Sequence, residues 1–218
     1  MPLNLSAGGD GDFIPYIKYN AKAGRFYVRS QDGKTDIEVE KPRLAFDMAN
    51  IKTGWIYYPE GGGAPPEKVW DPTLSQQAAK PPGMKKFRRG FEVMVVGADQ
   101  IPGVGALGLR EFGSTAGVVI GSILRMYDLY EIGAPQNPDK VPFFRCTQVN
   151  PIDSKYGTNY EPVFTLIGWV ERKKVPEFDA HLASADNLPA RTPPSGNGHA
   201  AAPPPTRLAN DLDDEIPF

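Results

Sequence analysis

Five consecutive residues, Lys85-Lys86-Phe87-Arg88-Arg89, set four cations around one aromatic ring. Two further groups repeat the combination: Tyr16, Lys18, Arg25, Tyr27 and Arg29 in the first part of the chain, and Trp55 with Tyr57 in Trp55-Ile56-Tyr57-Tyr58. Phe143 and Arg145 form a smaller pair. Cations neutralise phosphates and flat side chains stack on unpaired bases, each stack contributing about 1 to 3 kcal/mol, so the two types side by side are what a groove for a single polynucleotide strand requires. Each group also has a plainer use. Trp55, Tyr57 and Phe143 serve equally well in a core, and Lys85 to Arg89 as a solvated lead into a strand. Trp169 and Phe164, embedded in an apolar run, belong to the core on this reading.

The sequence offers little to a catalyst. Cys146 is the single cysteine, which excludes an intrachain disulfide and a multi-thiolate metal site, and the two histidines, His181 and His199, both lie towards the C-terminal end. Gly103-Val104-Gly105-Ala106-Leu107-Gly108 fits the spacing of a dinucleotide loop. Leu109-Arg110-Glu111-Phe112-Gly113 then intervenes before any helix, and repeated strand–helix–strand units are lacking. No Gly-x-x-x-x-Gly-Lys-Ser/Thr phosphate loop occurs. Glu38 and Glu40 alternate as a strand surface does, without a second acidic cluster to complete a nuclease metal site. The expectation is a protein that is not an enzyme and takes no cofactor and no metal.

The elements that must position these groups read mainly as β. Residues 13–19 and 25–30 form a hairpin with Gly24 at the tight position, and alternation puts Arg25, Tyr27 and Arg29 on one face and Phe26 and Val28 on the other. Further strands are expected over residues 43–48, 54–58, 90–96, 141–149 and 162–170, all rich in Phe, Val, Ile, Tyr and Trp. Residues 59–83, with their runs of Gly and Pro, read as a long mobile loop. One helix is expected over residues 114–131, capped by Ser114 or Thr115, from the repeat of Val118, Val119, Ile123, Met126, Tyr127 and Tyr130. Strands, a helix and more strands suit an OB-fold-like five-stranded β-barrel elaborated with extra hairpins and loops.

Glycine and proline, 23 of each, are abundant in the 218 residues. The net charge of −2 conceals an asymmetry: residues 1–178 hold 22 Lys and Arg against 20 Asp and Glu, residues 179–218 hold 2 against 6. Residues 179–209 are a disordered linker of Pro, Ala and Gly on this composition. Residues 210–218 carry Asp211, Asp213, Asp214 and Glu215 followed by Ile216, Pro217 and Phe218. A purely solubilising acidic run has no use for the three apolar residues that close it. No stretch is apolar for the roughly 18 residues a spanning helix needs, and the first residues lack the layout of a signal peptide, so a soluble intracellular protein is expected.

This ending resembles the C-terminal tail of bacterial single-stranded DNA-binding proteins, an acidic cluster followed by Ile-Pro-Phe at the end of a Pro/Ala/Gly-rich linker. The resemblance implies that a partner pocket takes the Phe218 ring and Ile216 while a basic rim receives Asp213, Asp214, Glu215 and the terminal carboxylate. In its architecture the whole chain resembles the single-stranded DNA-binding proteins of bacteriophages, which join a divergent OB domain, here residues 1–178, to an acidic tail. The resemblance also implies a non-catalytic protein that binds and protects single-stranded DNA in replication, recombination or repair. It would work in the cytoplasm of a bacterial or phage-infected cell, with replication and repair proteins recruited by the tail and self-association compatible with the role. A single-strand annealing protein or recombination mediator is the alternative.

Overall fold

The computed structural model describes residues 14–59, 65–83, 85–155 and 157–186. Strands β1 (Tyr16–Asn20), β2 (Arg25–Arg29) and β3 (Asp36–Val39) form an antiparallel meander. Its first turn needs Gly24, whose φ of +69° places it in the left-handed region. Next come β4 (Arg43–Phe46), a 3₁₀ turn (Met48–Asn50), β5 (Lys52–Tyr57) and β6 (Glu67–Trp70). A long hairpin, β7 (Arg88–Ile101) and β8 (Gly105–Ser114), leads into helix α1 (Gly117–Gly133). A second long hairpin, β9 (Lys140–Ser154) and β10 (Gly157–Glu171), is followed by helix α2 (Glu177–Asp186).

All ten strands among the described residues belong to one sheet, ordered β10-β9-β4-β7-β8-β1-β2-β3, with β5 beside β7 and β6 beside β5. Within it, β9-β4-β7-β8 is a Greek key: three antiparallel strands in sequence order, and a fourth that returns through α1 to lie beside the first. The sheet curls into an open half-barrel. Across its mouth the Tyr160 amide donates to the Ala21 carbonyl at 2.7 Å, and the Tyr19 hydroxyl donates to the Tyr160 carbonyl at 3.0 Å.

Strand alternation explains where the core sits. Phe91, Val93 and Val95 of β7 point inward with Phe26, Phe46, Phe112, Phe144 and Phe164 from five other strands. Phe46 meets Phe112, Phe144 and Phe164 edge-on at centroid distances of 6.3, 5.6 and 5.7 Å, the geometry that aromatic quadrupoles favour. Helix α1 closes the interior with Val119, Ile123 and Met126, one stripe of its surface. Cys146 lies in the same core, and burial pushes its thiol up to about 11. On the opposite face of the sheet Ala45, Met94 and Val141 form a second cluster under Val175 and Phe178. Arg172 fastens that cover: its guanidinium donates to both carboxylate oxygens of Asp47 and to Asp179, and stands over the Phe178 ring.

The mainly-β class, the main helix and the first hairpin are as the sequence implies. The differences have physical causes. The sheet has ten strands among the described residues, against seven expected segments and a five-stranded barrel, because charged or Gly-rich segments without an apolar alternation also take strand form from their partners: Asp36–Val39 pairs with β2, and Gly105–Ser114 pairs with β7 and, in parallel, with β1. Residues 59–83 are not simply a loop, since β6 pairs with β5 across Gly54 and Trp70. Helix α1 begins at Gly117 with Ala116 as its cap, while the Ser114 hydroxyl accepts the Ala116 amide just ahead of it. Gly103, Gly105 and Gly108 all have positive φ around the β7–β8 turn, so the dinucleotide-like spacing is turn chemistry. Helix α2 runs across the boundary expected after Phe178. Residues 187–209 of the expected linker and all of residues 210–218 lie outside the described residues. Phe178 has no exposed surface, so Phe178→Ala should destabilise the domain by about 3 kcal/mol, measured by urea denaturation. A domain ending before this residue would be indifferent to the change.

Candidate nucleic-acid interface

Alternation along β5 turns Thr53, Trp55 and Tyr57 to one face, and pairing with β7 sets Trp55 beside Arg89. The Arg89 guanidinium lies over the Trp55 ring at 5.3 Å and the Lys80 amine at 5.6 Å, while Lys85 stands over Tyr57 at 5.6 Å. Such contacts contribute about 0.5 to 1 kcal/mol each at exposed sites. The Trp55 indole N–H donates to the Ala78 carbonyl at 2.9 Å, which fixes the orientation of the ring.

One carboxylate organises this cluster. Asp71, at the end of β6, accepts two bonds from Arg89, at 2.8 and 2.5 Å, one from the Thr53 hydroxyl at 2.6 Å and one from the Ala78 amide at 2.9 Å. The Arg89 fork, with help from Thr53 and Ala78, holds the Asp71 carboxyl well below the usual carboxylate range against the opposing effect of burial. The segment after β6 is therefore tied to the sheet at both Asp71 and Trp55. Lys85 pairs with Glu67 at 2.5 Å. Phe87, expected among the contact residues, is 7% exposed and packs beneath Tyr57 with centroids 5.7 Å apart, so it supports the site and does not present a ring to a ligand. Lys86 is exposed and Arg88 half-buried.

On the other face of β5 and β6, Lys68 bridges Glu92 on β7 and Glu111 on β8, the latter at 2.9 Å. Burial opposes the lysine's charge, and the two carboxylates overcome it and raise its pKa; burial first and Glu92 second raise that of Glu111. The same lysine stands 5.7 Å over the Trp70 ring. This face is charge-balanced and latches β6 onto the sheet.

The first hairpin presents Lys18, Arg25, Tyr27 and Arg29 outward, as their alternation implies, with Phe26 and Val28 buried and Tyr16 half-buried. Its arginines meet carboxylates on β3: Arg25 pairs with Glu38 at 2.7 Å and Arg29 with Asp36 at 3.2 Å. Phe143 is half-buried against the cluster that Phe178 covers, and Arg145 on the same strand face is exposed. Trp55, Tyr57, Lys85, Phe87 and Arg89 are thus brought together; the hairpin and the Phe143–Arg145 pair are separate surfaces. Sequence reading missed Lys68, Trp70, Asp71 and Lys80, although the alternation of Glu67-Lys68-Val69-Trp70 is a strand signal inside a Gly/Pro-rich segment. Among the described residues no group of three or more His, Cys, Asp or Glu side chains is arranged to hold a metal ion, and no helix is long and apolar enough to cross a membrane.

Comparison of the chain with protein-family models, with curated proteins and with solved structures finds no match. The functional reading therefore rests on the chain's own residues.

Asp71 has 3% of its side chain exposed, and Asp71→Ala should cost about 3 kcal/mol by leaving Arg89 without its partner. Because the folded-state pKa is depressed, that stabilisation is complete above about pH 5 and fades as pH falls through the ordinary aspartate value near 3.9. Urea denaturation at several pH values should show the gap between wild type and variant narrowing on acidification.

Proposed function

We propose that the protein binds single-stranded DNA without catalysing a reaction on it, and that residues 211–218 dock other proteins of replication, recombination or repair. The observation that carries the reading is the Trp55–Tyr57 face, where two rings on one strand sit among Lys80, Lys85 and Arg89. Aromatic platforms fringed by cations suit bases that are unpaired and able to stack, whereas a duplex hides its base faces. The Greek-key order of β9-β4-β7-β8, flanked by β10, supports an OB-type domain, in which oligonucleotides lie on the second and third strands and on the loops joining strands one to two and four to five. In that assignment β5 and β4 together are strand one and β7 strand two, so Trp55, Tyr57 and Lys80 fall beside the first of those loops. The closing Asp-Asp-Glu-Ile-Pro-Phe of the sequence supports the docking role.

Titration of oligo(dT) against a duplex of equal length over a salt series tests the class. Single strands should quench tryptophan fluorescence and bind more tightly, with affinity falling as salt rises. Trp55→Leu should remove most of the quench and weaken binding by about 1 to 3 kcal/mol. Equal affinity for the duplex, or no binding of oligo(dT) in dilute buffer, overturns the proposal. Removal of residues 211–218 should tighten binding at low salt, because an anionic segment competes with phosphate for the same cations; weaker binding after the truncation contradicts that competition.

A further inference from the structure

Arg43 on β4 and Arg145 on β9 stand directly opposite one another. The Cys146 amide donates to the Pro42 carbonyl at 3.1 Å. Residues 42 and 146 are thus a hydrogen-bonded pair, and 43 and 145 occupy the neighbouring non-hydrogen-bonded position, where side chains come closest. Like charges so placed repel and destabilise the sheet. Arg25, Arg29, Lys68, Lys85 and Arg89, by contrast, each meet a carboxylate.

The pair is held in place. Arg43 donates from Nε and Nη2 to one oxygen of Asp99, at 2.8 and 2.6 Å, and its backbone amide donates to the other at 2.9 Å. Arg145 is exposed and has no carboxylate partner among the described residues. Its neighbours on that face along β9 and on β10 are neutral. Thr165 lies opposite it on β10, Phe143 precedes it by two, and Thr147 follows it by two. Thr147 is the extra residue of a β-bulge, since Cys146 pairs with Phe164 and Gln148 with Val163; its hydroxyl lies 3.1 Å from that of Thr165. Bulges of this kind redirect a side chain at the cost of local pairing. Two guanidinium groups, one carboxylate that fixes the first of them and two hydroxyls make an exposed group with a net charge of +1.

We propose that Arg43, Arg145, Thr147 and Thr165 form a phosphodiester-binding subsite, separate from the aromatic face, that takes a backbone phosphate of a bound single strand; it rests on the single-strand reading above. One phosphodiester carries one negative charge, which balances the group, and its two non-bridging oxygens accept charge-assisted bonds from the two arginines. The Thr147 hydroxyl donates to the Val163 carbonyl at 3.4 Å and can accept from Thr165, so the Thr165 hydroxyl is the one that turns to donate to the phosphate beside them. Alternation turns Arg145 to the face of Phe143, and Trp55 to the opposite face with Phe91.

The test is oligo(dT) binding by the full chain from about 50 to about 200 mM salt. Arg145→Ala should weaken binding several-fold at low salt and make the slope of log affinity against log salt shallower by about 0.7, the value of one single-strand phosphate contact. Its Tm should be unchanged or raised, since the repulsion between the two arginines is relieved. Arg145→Lys should keep most of the slope. Trp55→Leu should weaken binding with the slope intact, and the two substitutions together should act additively. Wild-type affinity and slope in Arg145→Ala overturn the subsite and leave the single-strand reading standing, whereas failure of the wild-type protein to bind oligo(dT) overturns both. A lower Tm for Arg145→Ala assigns the residue a structural role and overturns the subsite. So does an effect of the substitution that vanishes once residues 211–218 are removed, which would assign the arginines to the acidic tail.

Discussion

Strand β7 is hydrogen-bonded along one edge to two different strands, β5 on its first half and β4 on its second, and along the other edge to β8. Nearly every other element takes its position from that pairing. The register at Leu44 and Gly97 sets where Phe46 enters the aromatic core, and the register at Gly54 and Gly90 sets Trp55 beside Arg89. Both of the latter positions are glycine for a steric reason. A Cβ on Gly54 would strike the backbone of Val69 and Trp70, and one on Gly90 would strike the Ile56 side chain and the Ser114 carbonyl. Close approach there allows β6 to crowd β5 at Gly54, and the end of β8 to crowd β7 at Gly90. A one-residue slip of β5 would exchange the faces of the strand and turn Trp55 away from Arg89.

Charge is distributed over the sheet by the same logic of faces. Cations on β2 and β6 have carboxylates across from them, so these surfaces cost little and attract little. At the Trp55 face the carboxylates do other work: Asp71 is consumed in holding Arg89 and the following turn, and the lysines around it remain near the rings. At Arg43 and Arg145 the balance is left incomplete. The protein is close to neutral as a whole, yet its surface is uneven, and local imbalance, not total charge, is what selects an anionic ligand.

Much of the fold was legible because period-two alternation survives in short segments. Arg25 to Arg29 alternate strictly, and the structure buries Phe26 and Val28 as that pattern demands. The helix was legible from its apolar stripe even with Gly117 and Gly121 at exposed or half-exposed positions. What stayed hidden depended on partners far away in sequence. Phe87 looks like an exposed ring among four cations, and only the Tyr57 ring above it shows that it is buried. Asp71 and Arg89 are 18 residues apart, and nothing local marks them as a pair. Helix α2 has a composition close to that of a linker, and its order comes from Phe178 and the Arg172 clamp, not from its own propensity. The bulges at Thr147 and Ile167 shift register inside β9 and β10, where simple alternation gives no warning.

The position of Cys146 has a consequence for how the molecule behaves in air. With about 1% of its surface exposed and a thiol pushed up to about 11, it holds almost no thiolate at neutral pH and offers an oxidant nothing to reach. As the chain's single sulfhydryl, it leaves the folded protein without a route to a covalent dimer. A cysteine introduced at the surface would therefore be the one group that a maleimide dye finds.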